Sequence, residues 1–133
     1  MSGIVLYGIE NCDQVRKSRQ WLKANNIEYR FHDFRRDGLT IDLLSNWLSH
    51  VPWDALLNRR GMTWRKLPEA ERHAIVDQAS AIELMIAMPT VIKRPVMQTR
   101  DHLLVGFSET VFQATIDELQ RIRSGPGASK TQA

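Results

Sequence analysis

The first 34 residues follow the order strand, helix, strand, and this order constrains the fold more than any other feature of the chain. Residues 3–8 (GIVLYG) are a short apolar run that ends at a glycine, which predicts a fully buried strand. Residues 12–24 have helical spacing, and residues 28–34 alternate in a way that predicts a second strand. Two strands joined by a helix pair in parallel through a right-handed crossover, so the chain begins with a βαβ unit.

The middle of the chain has a helical pattern. Residues 40–50 place their apolar side chains along one stripe, and Thr40 precedes the first turn as a candidate N-cap. Two shorter helices are predicted over residues 67–79 and 80–88, with a break near Ser80. These helices form a predicted insert between the two halves of the fold.

The second half of the sheet is predicted from residues 89–97 and 102–107, which have the pattern of two strands joined by a tight hairpin. Ser108 then begins a last helix whose apolar residues recur at helical spacing. The complete order is βαβ, a helical insert at about 40–88, and ββα. This is the order of the α/β thioredoxin-like fold, although other α/β sandwiches share it.

Length and composition predict a single domain with a short tail. The 133 residues, with 43% hydrophobic and 25% charged content, are typical of one soluble domain, which we expect over residues 1–120. Residues 121–133 are rich in glycine and serine and are predicted to be a disordered basic tail. We expect a cytoplasmic protein with no membrane partner, because no signal peptide and no apolar run of ~20 residues is evident.

The net charge of +3 does not indicate a folded basic face, because the excess lies in the predicted tail. Residues 121–133 hold three of the 18 basic residues and none of the 15 acidic ones, so residues 1–120 are neutral overall. Nucleic-acid binding is therefore disfavoured. One basic cluster remains at residues 58–66 (NRRGMTWRK), which is either a solvated loop or a phosphate-binding segment.

The only cysteine, Cys12, lies where the first strand passes into the first helix. Unpaired N–H groups and the helix dipole stabilise a thiolate at such a position, and the carboxyl ends of strands collect the sites of α/β folds. Arg16 adds positive charge one turn further on, whereas Asp13 opposes it. The two interpretations are a reactive thiol and a buried, inert cysteine.

A second candidate feature is KRPV, residues 93–96, which places a proline at the start of a predicted strand. In a βαβ…ββα arrangement, that point lies beside the carboxyl end of the first strand, and hence beside Cys12. Arg94 would then supply positive charge to the thiol or grip an anion. The alternative is an edge-strand Pro95 with a solvated arginine.

Four motifs resemble those of the arsenate reductase/Spx family, which is also called ArsC-like. In chain order they are Cys12 followed by a helix, ALLNRRG (55–61), KRPV (93–96) and GFSE (106–109). The segments NCD and RGMTWRKL are similar to those of the YffB-like branch, and the likeness covers about residues 3–120. The resemblance implies a thioredoxin-like fold with a helical insert, a cis peptide before Pro95, and Cys12 as the nucleophile.

The chain departs from both known activities of the family that it resembles. Arsenate reductases of that family hold the oxyanion with three arginines, and the corresponding positions here are Asn58, Arg94 and Gly106, so only the second is retained. Arg60 is a candidate substitute for the first. Spx-type regulators carry a Cys-x-x-Cys switch where residues 12–15 read Cys-Asp-Gln-Val.

A nucleophilic cysteine without a second cysteine needs an external thiol to resolve the mixed disulfide, and glutathione is the usual one. The sequence therefore predicts a monothiol, glutaredoxin-like, glutathione-dependent thiol–disulfide reductase with Cys12 as nucleophile. Arg94 and Arg60 would bind the carboxylates of glutathione or stabilise the thiolate. The backbone before Pro95 would pair with the glutathionyl peptide, and Asn11 would help to hold the thiolate.

Two alternative functions remain open at this point. One is glutathione-linked reduction of arsenate or another oxyanion. The other is a non-catalytic regulator that resembles Spx and contacts RNA polymerase through residues 58–66. A metal site is not expected, because the four histidines are scattered without ligand spacing.

Overall fold

The computed structural model describes residues 3–124 and contains one four-stranded sheet in that range, in the order β2-β1-β3-β4. The strands are β1 (Val5–Gly8), β2 (Arg30–Asp33), β3 (Val96–Gln98) and β4 (Leu103–Val105). β1 is parallel to β2 and antiparallel to β3, and β3 is antiparallel to β4. A parallel βαβ half joined edge to edge with a ββα half is the thioredoxin-like arrangement, so the predicted fold class is confirmed.

The described residues also form eight α-helices and a 3-10 turn at Pro89–Val91. They are α1 (Asp13–Ala24), α2 (Phe34–Asp37), α3 (Ile41–Leu48), α4 (Trp53–Leu56), α5 (Met62–Arg65), α6 (Glu69–His73), α7 (Gln78–Ala87) and α8 (Glu109–Ser124). Of the helices in residues 3–124, none has both the length and the apolar character that crossing a bilayer requires.

The sheet separates two hydrophobic clusters, because neighbouring residues of a strand point to opposite faces. On one face, Leu6 and Met97 pack with α1 and α8; the other fully buried members of that cluster include Leu22 and Phe112. On the other face, Tyr7 and Val96 pack against the helical insert; the cluster there includes Trp47, Leu56, Met85, Val91 and Ile92. The insert thus covers one face of the sheet.

Two predicted helix starts are confirmed and one predicted helix boundary is wrong. Thr40 accepts the N–H of Leu43 at the start of α3, and Ser108 accepts the N–H of Val111 at the start of α8. The break predicted near Ser80 lies earlier, at residues 74–77 between α6 and α7. Asp77 instead caps α7 and forms a reciprocal capping box with Ser80, so this serine stabilises the first turn of one helix.

The strand predicted over residues 89–97 is also wrong for most of its length. Its first part forms the 3-10 turn, and the strand begins only at Val96, after the cis peptide that joins Arg94 to Pro95. The backbone between the 3-10 turn and the strand forms hydrogen bonds with the insert and not with the sheet. The N–H of Lys93, for example, donates to the carbonyl of Leu56 at 2.7 Å. The cis peptide was implied by the family resemblance.

The last helix extends four residues into the segment predicted as a tail. α8 spans Glu109–Ser124. Residues 121–124 are helical, so the disordered tail predicted from residue 121 is wrong for these four residues. The rest of that prediction, residues 125–133, lies outside the described residues.

Candidate active site

Cys12 is the N-cap of α1, in a short loop that follows β1. Its N–H donates to the carbonyl of Ile9 at 3.2 Å, and its side chain is half-buried. The loop is short because β1 and α1 are in direct contact: a Cβ on Gly8 would lie 2.6 Å from Cγ2 of the fully buried Val15. Glycine at the end of β1 thus allows the first turn of α1 to lie against the strand.

A buried carboxylate holds the same loop from the β2 side. Asp33 accepts the N–H of Glu10 at 3.1 Å, and its other oxygen accepts the N–H groups of Arg35 and Arg36 at the start of α2. Burial acts to raise the pKa of Asp33, but these three hydrogen bonds outweigh burial and hold the pKa below its usual value. Asp33 therefore ties the loop before Cys12 to the end of the neighbouring strand.

The pKa of Cys12 lies below that of an ordinary thiol. Burial acts to raise this pKa, but several groups that stabilise the thiolate outweigh it. The backbone N–H groups of Val15 and Gln14 in the first turn of α1 lower this pKa, and the Arg94 guanidinium lowers it through a hydrogen bond and its charge. The helix start and Arg94 are thus the two groups of donors that favour a nucleophilic sulfur.

Arg94 is held in place by backbone carbonyls. Its Nη1 donates to the carbonyl of Thr90 at 2.9 Å and to that of Ile92 at 3.4 Å. The hydroxyl of Thr90 is itself 2.7 Å from that of Thr63 on α5. The 3-10 turn and the insert therefore fix the position of the guanidinium. A freely solvated arginine would have no such hydrogen bonds to the backbone.

Cys12 and Arg94 line a cleft of about 570 Å³. Its other polar lining residues are Gln14, Asn58, Lys93 and Ser108, and its apolar side is formed by Leu103, Leu104, Val105, Phe107 and Val111 around Gly106. None of the described residues that line the cleft is acidic. The cleft therefore presents a thiol, two cations and an apolar wall to a ligand.

The structure brings together two of the five predicted site residues. Cys12 and Arg94 share the cleft, whereas Arg60 is exposed outside its lining, with its N–H donating to Oδ1 of Asn58 at 3.3 Å. Asn11 is exposed beside Cys12 and does not line the cleft. Pro95 is buried, and its carbonyl accepts the N–H of Gly106 at 2.7 Å.

Sequence reasoning missed several lining residues. Lys93 precedes Arg94 in KRPV, which was the available signal for it, and Asn58 was noticed only as a departure from three arginines. Phe107 and Val111 had no signal, because a half-exposed aromatic residue and an exposed valine do not stand out from a strand–helix pattern.

The basic cluster at residues 58–66 is ordered by aromatic contacts. The guanidinium of Arg59 lies 5.8 Å from the ring centroid of Trp53 and 5.6 Å from that of Trp64. Both tryptophans pack against the cluster that includes Trp47. Met62–Arg65 of this segment form α5, so the solvated-loop interpretation is wrong for Trp64, whereas Arg59 is exposed in the turn before the helix.

Comparisons with known proteins agree on one family. The ArsC family model matches residues 7–115. An uncharacterized protein of Haemophilus influenzae is 40% identical over 84% of this chain and 96% of its own length. The regulatory protein MgsR of Bacillus subtilis is 27% identical over 79% of this chain and 83% of its own length.

Two solved structures are similar over most of both chains. The YFFB protein has a TM-score of 0.79 and 44% identity, with 84% of this chain and 96% of that chain covered. An arsenate reductase (ArsC) related protein from Brucella melitensis has a TM-score of 0.70 and 48% identity, with 86% and 93% covered. The resemblance to the YffB-like branch is thereby confirmed.

Proposed function

Since this chain belongs to the ArsC family, we propose that it is a thiol-dependent oxidoreductase, and specifically a glutathione-dependent thiol–disulfide reductase of the monothiol type. The observation that carries the proposal is the setting of Cys12. Its sulfur faces a cleft from a helix start, and the N–H groups of Val15 and Gln14 together with Arg94 lower its pKa. A thiolate so placed is a nucleophile for disulfide sulfur.

The first step is attack by the Cys12 thiolate on the glutathionyl sulfur of a mixed disulfide R–S–S–G. A bond forms between the Cys12 sulfur and the glutathionyl sulfur, and the S–S bond of the substrate breaks. The electron pair leaves on R–S⁻, which takes a proton from solvent. Arg94 favours this step by keeping Cys12 ionised before the attack.

The second step needs another thiol, because the chain has only one cysteine. A second glutathione thiolate attacks the glutathionyl sulfur, forms oxidised glutathione and releases the Cys12 thiolate. The sum is R–S–S–G plus glutathione giving R–SH plus oxidised glutathione. The protein returns to its starting state, and no metal enters the balance.

The remaining predicted residues are assigned to glutathione with different support. Asn11 adjoins Cys12, and the backbone before Pro95 lies at the cleft edge that Arg94 forms, so both remain proposed contacts to the tripeptide. Arg60 has weaker support, because it lies outside the lining. Its proposed part is a contact at the rim beside Asn58.

A glutathione-coupled assay tests the proposal. Reduction of the neutral hydroxyethyl disulfide is followed through glutathione reductase, with Cys12→Ser as the matched variant of nearly equal size. We expect wild-type turnover at least tenfold above background and none in the variant. Equal rates for the two proteins, with both folded by circular dichroism, contradict the proposal.

Two further outcomes separate the alternatives. Retention of Arg94 is the observation that favours oxyanion reduction, so arsenate is offered in place of the disulfide in the same assay. Faster turnover of arsenate than of the disulfide would place that activity first. A regulator that acts only by docking on RNA polymerase would keep that interaction in the Cys12→Ser protein, and the wild type would show no turnover.

A further inference from the structure

Lys93 has a fixed backbone and a side chain that lines the cleft. Its N–H donates to the carbonyl of Leu56 at 2.7 Å, which fixes the residue between the insert and the sheet. The side chain is exposed and lies in the same cleft as Cys12 and Arg94. Lys93 therefore has a backbone fixed by a hydrogen bond and an exposed side chain.

The stem of Lys93 lies over Gly106. That glycine has a φ of +86°, and a Cβ built on it would be 3.6 Å from Cε of Lys93, which is van der Waals contact. The lysine therefore occupies the space next to the one position in this cleft where the chain has no side chain. Because residue 106 has no side chain, the ammonium group of Lys93 is the charged group beside it in the cleft.

The two cations of the cleft have different partners. Nη1 of Arg94 donates to the carbonyls of Thr90 and Ile92, and its guanidinium lowers the pKa of Cys12, whereas its buried Nε has no hydrogen-bond partner among the described residues. Lys93 forms no ion pair among the described residues, and the lining holds no carboxylate that would neutralise it. The nearest acid in sequence to Cys12, Asp13, pairs with Arg16 outside the lining. One positive charge therefore remains for a ligand.

We infer that Lys93 recognises a carboxylate of the ligand and makes the cleft selective for anionic thiols and disulfides over neutral ones. The inference rests on the proposed function in so far as it concerns ligands of Cys12, and it names the ligand class. Arg94 sets the reactivity of the sulfur, whereas Lys93 selects the molecule that reaches it. An ammonium group suits this part because its three donors tolerate several carboxylate positions.

The test compares two alkylating reagents that differ in charge. Iodoacetate is anionic and iodoacetamide is neutral, and both modify Cys12, the only cysteine, with loss of iodide. The measured quantity is the ratio of the two second-order rate constants at a pH where Cys12 is ionised. We expect Lys93→Gln to lower the iodoacetate-to-iodoacetamide ratio about three- to fivefold and to leave the iodoacetamide rate within about twofold.

Two variants serve as controls. Lys93→Arg keeps the charge and should keep the ratio, and Lys66→Gln removes an exposed lysine outside the cleft lining and should leave the ratio unchanged. The effect of Lys93→Gln should shrink in about 1 M salt, because the ammonium group is solvent-exposed.

The results that would overturn the inference differ from those that would overturn the proposed function. An unchanged ratio in Lys93→Gln overturns the inference, and so does an equal slowing of both reagents, which would mean that Lys93 acts on the thiolate. A wild-type Cys12 with an ordinary pKa and no disulfide turnover overturns the proposed function instead. In that case the ratio is still measured at higher pH, where the thiol is ionised.

Discussion

Two glycines, Gly8 before Cys12 and Gly61 after Asn58, are closely approached by a neighbouring side chain, with different consequences. A Cβ on Gly8 would lie 2.6 Å from Cγ2 of Val15, and a Cβ on Gly61 would lie 2.7 Å from Nδ2 of Asn58. Val15 is fully buried and β-branched, whereas Asn58 is half-buried and its amide ends a rotatable side chain. A Cβ on Gly8 would meet a side chain that cannot move aside, whereas a Cβ on Gly61 would meet an amide that can rotate away.

The residues around the nucleophile and those around the ligand differ in rigidity. The nucleophile side, which we define as Gly8, Cys12, Val15 and Arg94, is held by core packing and backbone hydrogen bonds. The ligand side, defined as Asn58, Gly61, Lys93, Gly106 and Phe107, carries exposed or half-exposed residues. Rigid surroundings preserve the pKa of a thiol, and adaptable surroundings admit a ligand.

Removal of Arg94 should have the largest effect, because it acts on the nucleophile itself. In Arg94→Ala the pKa of Cys12 should rise toward that of a free thiol, since a hydrogen bond and a positive charge beside the thiolate are lost. The alkylation rate near neutral pH should then fall about tenfold for each unit by which the pKa comes to exceed the assay pH, and should recover at high pH. The pH profile of iodoacetamide alkylation measures both changes.

The matched control for Arg94 is Arg16→Ala. Arg16 lies one turn beyond Cys12 but pairs with Asp13 and is exposed, so its removal should leave the pH profile nearly unchanged. Equal shifts in the two variants would mean that net charge, and not the fixed guanidinium, lowers the pKa.

Gly8→Ala should have the next largest effect, because the new methyl group has no space. The clash with Val15 should lower the free energy of unfolding by about 1–3 kcal/mol, the usual cost of overpacking a core. It should also raise the pKa of Cys12, because the N–H of Val15 is one of the donors to the sulfur. Urea unfolding measures the first change, and the alkylation profile measures the second.

A double variant makes the Gly8 prediction specific. Val15→Ala removes both Cγ atoms that the new methyl group would meet, so Gly8→Ala should cost less in that background than in the wild type. Strict additivity of the two losses would show that the contact is not the cause.

Sequence patterns predicted those parts of the fold that depend on local signals. The βαβ start follows from hydrophobic spacing, and the caps at Thr40 and Ser108 follow from side chains that bond the next turn. α4 and α5 were not predicted, because a helix of four residues is too short to show a helical period. The apolar run that begins at Pro89 matched a strand locally, but long-range bonds to the insert make it a 3-10 turn and a single bridge from Leu57 to Ile92.

The site was predictable to the same degree. Cys12 and Arg94 were expected together because topology brings the start of the third strand beside the end of the first. Lys93 was not, because its place in the cleft depends on the backbone of Gly106, far along the chain. Sequence therefore identified the nucleophile side, which topology fixes, better than the ligand side, which depends on side-chain placement.

Gly61→Ala should have the smallest effect and is the sharpest test of the comparison. Its φ is an ordinary −78°, and the closest contact of the new methyl group is the side-chain amide of Asn58, which can rotate away at the cost of its hydrogen bond to the N–H of Arg60. The backbone carbonyl oxygen of Asn58 would lie at an acceptable 3.4 Å. The free energy of unfolding should fall by at most about 1 kcal/mol. The pKa of Cys12 should not change, because Asn58 is not among the groups that set it.

The decisive experiment compares Gly8→Ala with Gly61→Ala in three measurements: the free energy of unfolding, the alkylation profile of Cys12 and the KM for glutathione. Gly8→Ala should lower the free energy of unfolding by about 1–3 kcal/mol and alter the alkylation profile. Gly61→Ala should lower it by at most about 1 kcal/mol, leave the alkylation profile unchanged and raise the KM for glutathione about twofold through the displaced Asn58. In an Asn58→Ala background the Gly61 substitution should have no further effect on KM, since the displaced side chain is absent. A loss of stability in Gly61→Ala as large as that in Gly8→Ala would show that both sides of the cleft are equally rigid, and the assignment of ligand adaptability to the Asn58 side would then fail.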